Sequence, residues 1–293
     1  MRRIAAIDVG TNSTRLLVAG ESGGVLKRIE TGLYTTRLGK GITKGLLQRE
    51  AMERTVQAVK LFNETALNLG AEKVIVAATS AVRDAANKGE FWELVQKSAG
   101  LRLRVLSGEE EAALSYKGVL SGLMVPPHST VVLDIGGGST ELTWRQAGNL
   151  RLVSINAGAV RMTETGAGEE EITALFRPAL EEIKKLSFKN LVGVGGTATT
   201  LAAIDQRLSV YEPEQVHGYC LSAASVDRIL SMLKNMDLKE RKKVPGLQPE
   251  RADIIVAGVL ILKIVLNGLG FSWMYISECD MLCGLILEEV EIK

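Results

Sequence analysis

The stretch Leu133-Asp134-Ile135-Gly136-Gly137-Gly138-Ser139-Thr140-Glu141 carries the densest chemistry in this chain of 293 residues. Glycine tolerates positive φ and lets a ligand come close to the backbone. Successive N–H groups in such a turn can converge on an anion. Asp134 adds a carboxylate able to hold a divalent cation beside that anion, and Ser139 and Thr140 add hydroxyl donors. A lone glycine run is also an ordinary hairpin turn, but this one recurs. Ile7-Asp8-Val9-Gly10-Thr11-Asn12-Ser13-Thr14 aligns with Leu133 to Thr140 without a gap. Two halves that each begin with strand, Asp, glycine turn and strand predict a duplicated fold. The two turns would then face each other across a cleft, each holding one side of a phosphate chain.

Other residues suit the same chemistry. Glu109-Glu110-Glu111 supplies three acids at a helix start, where they complement the macrodipole. One of them turned inward could orient a water, as phosphoryl transfer requires. Arg83, in Thr79-Ser80-Ala81-Val82-Arg83-Asp84 at a strand end, could clamp a phosphate bidentately or simply pair with Asp84. Arg251 beside Asp253 presents the same pair of alternatives. Gly193-Val194-Gly195-Gly196-Thr197 has the form of a phosphate turn at a helix N-terminus, and His217-Gly218 reads as a turn. With two histidines in the chain, a serine-histidine-aspartate triad is disfavoured. The HExxH and CxxC zinc patterns are absent.

Composition narrows the function classes. Aromatic residues make up 4% of the chain and the formal charge is +1. The first argues against stacking platforms for single strands, and the second against a global field for nucleic acid. An apolar share of 46% supports a sizeable core, and the length suits two domains. Cys220, Cys279 and Cys283 form no disulfide framework. Cys279 and Cys283 are spaced to share a helix face, but without a nearby histidine they do not read as a metal site. The opening Met1-Arg2-Arg3 leads into a strand without an apolar leader. The apolar run 252–270 is interrupted by Asp253, Lys263 and Asn267, so it reads as a buried helix and not a membrane span. These features predict a soluble cytoplasmic protein.

The elements that must position these groups follow from periodicity and punctuation. Strands are expected over 3–7, 15–19 and 25–30, with a tight turn at Ser22-Gly23-Gly24 and a polar loop over 31–43. A helix over 47–69 closed by Gly70, a strand over 73–77, a helix over 88–98 and a strand over 102–106 follow. A helix capped by Ser107 then runs to Val119. The pair Pro126-Pro127 marks the boundary, giving domains 1–124 and 125–293, with a final helix over 280–293 able to pack back on the first. Beyond it come strands over 130–133, 140–145 and 150–155, a helix over 169–186 and a strand over 190–194. A helix from the glycine cluster to Ile204, helices over 222–235 and 250–266, and a strand over 273–276 complete the second half.

Taken in order, Asp8-Val9-Gly10-Thr11-Asn12-Ser13, Ala78-Thr79-Ser80-Ala81-Val82-Arg83-Asp84-Ala85, Ser107-Gly108-Glu109-Glu110-Glu111-Ala112, Asp134 to Glu141, Gly193 to Thr197, Val216-His217-Gly218 and Arg251-Ala252-Asp253 resemble the exopolyphosphatase/guanosine pentaphosphate phosphatase (Ppx/GppA) family over essentially the whole chain. The resemblance implies an α/β fold of two duplicated actin-like, ribonuclease H-like domains, as in sugar kinases and heat-shock chaperones. It implies that Glu111 is the general base for water and that Asp134 holds Mg²⁺ with the phosphate. Glu141 is then a second essential carboxylate, and Arg83 and Arg251 contact phosphate. Gly136, Gly137, Gly138, Ser139 and Thr140 become the phosphate turn, with Asp8, Gly10, Thr11, Asn12 and Ser13 as its partner turn and Gly195, Gly196 and Thr197 as a further binding turn. The implied reaction is metal-dependent release of terminal orthophosphate from inorganic polyphosphate, with guanosine pentaphosphate as the alternative substrate. A homodimer is an open possibility. Near the last helix the family's Gly-x-Arg-Glu-Gly stands here as Asp280-Met281-Leu282-Cys283-Gly284. Long members add helical domains after the two core ones, so short polyphosphate is the expected substrate. An ATP-dependent small-molecule kinase and a non-catalytic actin-like binder are the rival classes.

Overall fold

The structure is a computed structural model that describes residues 2–22, 25–41 and 45–291. The expected turn at Gly23-Gly24 and the end of the expected loop at 42–44 lie outside the described residues. The chain divides into two compact units, 1–121 with 281–293, and 122–280.

The first unit contains β1 (Arg2–Val9), β2 (Thr14–Ser22), β3 (Val25–Tyr34), α1 (Arg49–Asn68), β4 (Lys73–Ala78), α2 (Ser80–Arg83), α3 (Lys88–Ala99), β5 (Leu103–Val105) and α4 (Gly108–Gly122). Its sheet runs β3-β2-β1-β4-β5. The first three strands form an antiparallel meander, while β1, β4 and β5 are parallel. Parallel strands are covered by helices and read as continuous apolar runs, as β1 and the end of β4 do. Ile7, Val9, Leu16 and Val18 pack with Met52, Val56, Val59 and Phe62 of α1 and with Phe91 and Val95 of α3. The strand β3 continues through Tyr34 where a loop was expected. Gly32 fits there because the Phe62 ring lies where a Cβ would stand.

The second unit repeats the design. It contains β6 (Thr130–Ile135), β7 (Thr140–Gln146), β8 (Asn149–Ile155), α5 (Ala159–Thr165), α6 (Glu169–Lys184), β9 (Asn190–Val194), α7 (Gly195–Asp205), α8 (Pro213–Val216), β10 (Cys220–Ser222), α9 (Ala223–Lys234), α10 (Leu238–Arg241), α11 (Ile255–Leu269) and β11 (Trp273–Ile276). Its sheet order is β10-β11-β9-β6-β7-β8. Read from the other edge, this is the order of the first unit with β10 added antiparallel at the end. Both units therefore have the actin-like, ribonuclease H-like arrangement. The apolar run in the last third of the chain is α11. It is buried against α5, α6 and α9, and no described helix is long and apolar enough to cross a membrane. It begins at Ile255, later than the pattern suggests, because Pro249–Arg251 forms a 3₁₀ turn first.

The last helix, α12 (Met281–Glu291), returns to the first unit and packs on β1 and β2. Lys73 and Arg2 reach Glu289, Arg104 reaches Glu288 and Lys117 reaches Glu291. A Cβ at Gly284 would overlap the Leu114 carbonyl of α4, so glycine is what allows α12 to lie against the backbone of α4. Cys279 precedes α12 and does not share its face with Cys283; the residues between them cross from one unit to the other.

Candidate active site

In the first unit, the predicted groups collect at the carboxyl ends of the parallel strands, where open α/β sheets bind ligands. Asp8 ends β1 and opens the turn Gly10–Ser13, closed by a Gly10 N–H bond to the Ser13 carbonyl at 3.0 Å. Segment 36–39 clasps this turn. The Arg37 N–H donates to the Asn12 carbonyl at 2.8 Å and the Gly39 N–H to the Thr11 carbonyl at 2.7 Å. In a trans peptide each N–H points opposite to the preceding carbonyl. The amides of Asn12 and Ser13 therefore face away from the clasp, on the open side of the turn. The Thr11 hydroxyl is bonded to Ser80 of α2 at 2.9 Å, which ties the turn to the end of β4.

Arg83 closes α2 and lies next to β5. Its Nη1 donates to the Leu106 carbonyl at 3.3 Å and to Glu111 Oε2 at 3.0 Å, while Asp84 stands at 3.6 Å. The three acids of α4 separate cleanly. Glu109 is exposed. Glu110 completes a capping box: Ser107 N–H donates to Glu110 Oε2 at 2.8 Å, and Glu110 N–H to Ser107 Oγ at 3.1 Å. The Ser107 N–H bond, followed by the Arg104 guanidinium, holds the Glu110 carboxyl below its ordinary range. Glu111 alone is buried, at 8% exposure, and it alone meets Arg83.

In the second unit, the turn Gly136–Ser139 closes through the same bond, Gly136 N–H to Ser139 carbonyl at 3.0 Å. Its carbonyls are captured by α5, which the sequence pattern does not mark. The Gly136 carbonyl accepts from Ala159 N–H at 3.0 Å, and the Gly137 carbonyl from Val160 and Arg161 N–H at 2.9 and 3.0 Å. The Gly138 carbonyl accepts from Arg161 Nε at 2.7 Å. All described peptides are trans, so the consecutive N–H groups of Gly137, Gly138 and Ser139 point away from α5 and form a concave row of donors. Gly158 lets α5 approach, since a Cβ there would stand 2.5 Å from the Gly137 carbonyl group. The Thr140 hydroxyl is turned inward, donating to the Ala157 carbonyl at 2.5 Å. Thr197 is likewise buried, facing Gly258 of α11, where a Cβ would stand 2.6 Å from its hydroxyl oxygen. Both side chains are thus turned into the packing beside the turns.

Asp134 stands directly opposite Glu141 in the β6–β7 ladder, so both carboxylates share one face of the sheet. Ser154 donates to Glu141 Oε1 at 2.7 Å. Gly195, at φ 79°, opens α7 against Asp134, and a Cβ there would lie 2.7 Å from Asp134 Oδ1. Arg251 lies across the next residue, Gly196.

The internal repeat makes one difference stand out. Asp8 stands opposite Arg15 as Asp134 stands opposite Glu141. Arg15 Nε and Nη2 donate to Asp8 Oδ2 at 2.9 and 2.7 Å. In the first unit the turn's aspartate is neutralised by a guanidinium. In the second, the position opposite the aspartate carries a carboxylate, Glu141, in place of the guanidinium. Extending the repeat by one position would have exposed Arg15 in the sequence. Arg161 and segment 36–39 carry no such signal.

A divalent cation fits the second pair. Both side chains offer hard oxygens, and no cluster of three or more His, Cys, Asp or Glu able to hold a metal occurs among the described residues. Mg²⁺ is typically held this way, by one or two carboxylates with phosphate oxygens and water completing the shell.

A model of the Ppx/GppA phosphatase family matches residues 17–292. The chain is 36% identical over 314 aligned positions to the bifunctional 3-dehydroquinate synthase/phosphatase of Fusobacterium nucleatum, covering 99% of this chain and spanning 47% of that relative. It is 31% identical to exopolyphosphatase 2 of Mycobacterium tuberculosis, covering 98% of each. Among solved structures, the Aquifex aeolicus Ppx/GppA family member is 32% identical, with TM-score 0.81 over 99% of this chain and 98% of that one. An exopolyphosphatase from Cytophaga hutchinsonii is 25% identical, with TM-score 0.91 over 99% and 98%.

Proposed function

Because the chain belongs to the Ppx/GppA phosphatase family, we propose that it releases terminal orthophosphate from inorganic polyphosphate, short chains in particular, with a divalent cation. The observation that carries this reading is the paired turn, donor amides in both copies, with Arg15 opposite the aspartate in one and Glu141 in the other. That combination suits a substrate that is a chain of phosphates with a cation at one position. The exopolyphosphatase relative, matched along nearly its full length, supports polyphosphate as the substrate class. Basic residues occur in small clusters such as Arg241-Lys242-Lys243 in a chain of net charge +1, which favours short over long polymer. Three cysteines, an odd count that builds no disulfide framework, suit a reducing, cytoplasmic setting.

In the proposed reaction the amides of Gly137, Gly138 and Ser139 bind the terminal phosphoryl group, and those of Asn12 and Ser13 are a second set of phosphate donors. Asp134 and Glu141 would hold Mg²⁺, directly or through water. When bound, the ion supplies charge neutralisation at the phosphoryl oxygens. Glu111 aligns the attacking water and takes its proton as the new O–P bond forms. The bond from phosphorus to the bridging oxygen breaks, and that oxygen leaves with the electron pair. Arg83, paired to Glu111 at 3.0 Å, orients the base and offers its remaining edge to developing charge.

A phosphate-release assay tests the reading with short polyphosphate, long polyphosphate and guanosine pentaphosphate, each with Mg²⁺ and with excess chelator. Release from short polyphosphate that disappears on chelation and returns with Mg²⁺ is expected. Release from the pentaphosphate alone would move the substrate to the nucleotide, and full activity after chelation would remove the cation from the scheme.

A further inference from the structure

The geometry points to Gln248 as a positioning residue for substrate capture, acting through Arg251. Pro249–Arg251 is a 3₁₀ turn, a geometry that eclipses side chains three residues apart. Gln248 and Arg251 have that spacing. The Arg251 N–H donates to the Gln248 carbonyl at 2.9 Å, and Arg251 Nε donates to Gln248 Oε1 at 2.9 Å. The other face of the guanidinium rests on Gly196, the second residue of α7. A Cβ at Gly196 would overlap Nη1 and Cζ and stand 2.5 Å from Nη2. The guanidinium is thus held between an amide oxygen and a residue that must lack a side chain, over the N-terminal turn of α7. That helix end carries partial positive charge and unsatisfied N–H groups, and Gly195 places it beside Asp134.

A guanidinium fixed at Nε has its plane and direction set before an anion arrives. Arginine side chains are long, and ordering one during binding weakens affinity. Gln248 and Gly196 supply that order in advance. The inference rests on the reading of Arg251 as a phosphate contact, and it adds to that reading the residues that aim it.

The test measures binding apart from turnover, using the full chain and inorganic imidotriphosphate, a slowly hydrolysed analogue, by titration calorimetry in Mg²⁺ buffer. Arg251→Ala is expected to raise Kd at least about 10-fold, the effect of losing charge-assisted bonds to an anion. Gln248→Leu is expected to raise it about 2- to 12-fold, the effect of immobilising one long side chain on binding. Gly196→Ala, which displaces the guanidinium from the other side, should act in the same direction. Placed on the Arg251→Ala background, Gln248→Leu should not alter Kd by more than about 2-fold, because it acts through the missing group. With hydrolysable short polyphosphate, Gln248→Leu should raise KM and leave kcat nearly unchanged. A purely structural role would lower the melting temperature without that split. Wild-type affinity in both Gln248→Leu and Gly196→Ala would overturn the proposal, as would an undiminished effect of Gln248→Leu without Arg251, or no effect of Arg251→Ala. If Gln248→Leu does not fold, Gly196→Ala gives the same reading. Should binding behave as expected while no polyphosphate is cleaved, the seat stands and the hydrolase reading fails.

Discussion

Replacing the three acids at the start of α4 one at a time distinguishes catalysis from capping. Glu111→Gln keeps size and an acceptor oxygen but cannot take a proton from water. A general base contributes about 10²- to 10⁴-fold in rate, or roughly 3 to 5 kcal/mol of barrier, and a loss of that order is expected in turnover. The same change weakens the ion pair with Arg83, whose side chains are 21% and 11% exposed. Such a pair lies between the exposed limit of about 0–1 kcal/mol and the buried limit of about 3–5. A stability loss of about 1–2 kcal/mol follows, seen as roughly 2 to 8 °C in melting temperature. Glu110→Gln retains the capping-box acceptor and loses the charge of an exposed pair with Arg104, so it should change stability by no more than about 1 kcal/mol and turnover by at most a few-fold. Glu109→Gln should leave both within error, as exposed substitutions within about 0.5 kcal/mol do. Phosphate release and thermal melting on the same preparations read both quantities. Loss of turnover in Glu110→Gln or Glu109→Gln, with Glu111→Gln fully active, would refute the assignment of the buried acid as the base.

Three further outcomes are expected. Asp134→Asn is nearly isosteric, so it should leave the fold intact while reducing Mg²⁺-dependent turnover by about 10²-fold or more; a melting scan with parallel kinetics checks both. Arg15→Glu recreates in the first unit the carboxylate pair of the second, and should destabilise the protein without cation and regain part of the loss in Mg²⁺, whereas a loss indifferent to Mg²⁺ would contradict the charge argument. The depressed carboxyl of Glu110 contributes stability that is present above its ordinary value of 4.5 and is lost as pH falls through the lowered folded value, so the melting gap between wild type and Glu110→Gln should be widest at neutral pH and close in acid.

Local pattern was enough to read much of this protein. The spacing of apolar residue, Asp, Gly and Ser-Thr located both turns, and the structure gives them the same closing bond and the same ladder register. Ser107 as a cap and the continuous apolar runs of β4 and β6 are likewise local. These follow because a turn, a cap or a strand face depends on residues a few positions apart. Tertiary structure alone decided which of three adjacent acids meets an arginine 28 residues away, because one helix start presents its side chains in different directions and only the neighbouring strand end selects among them. It also decided that 159–165 is helical. Those seven residues are too few to form a stable helix alone, and their first N–H groups find partners only in the carbonyls of the glycine turn. The same holds for Arg251, whose direction depends on a glycine 55 positions earlier in the chain. A side chain's partner across such distances is set by packing, which local periodicity does not encode.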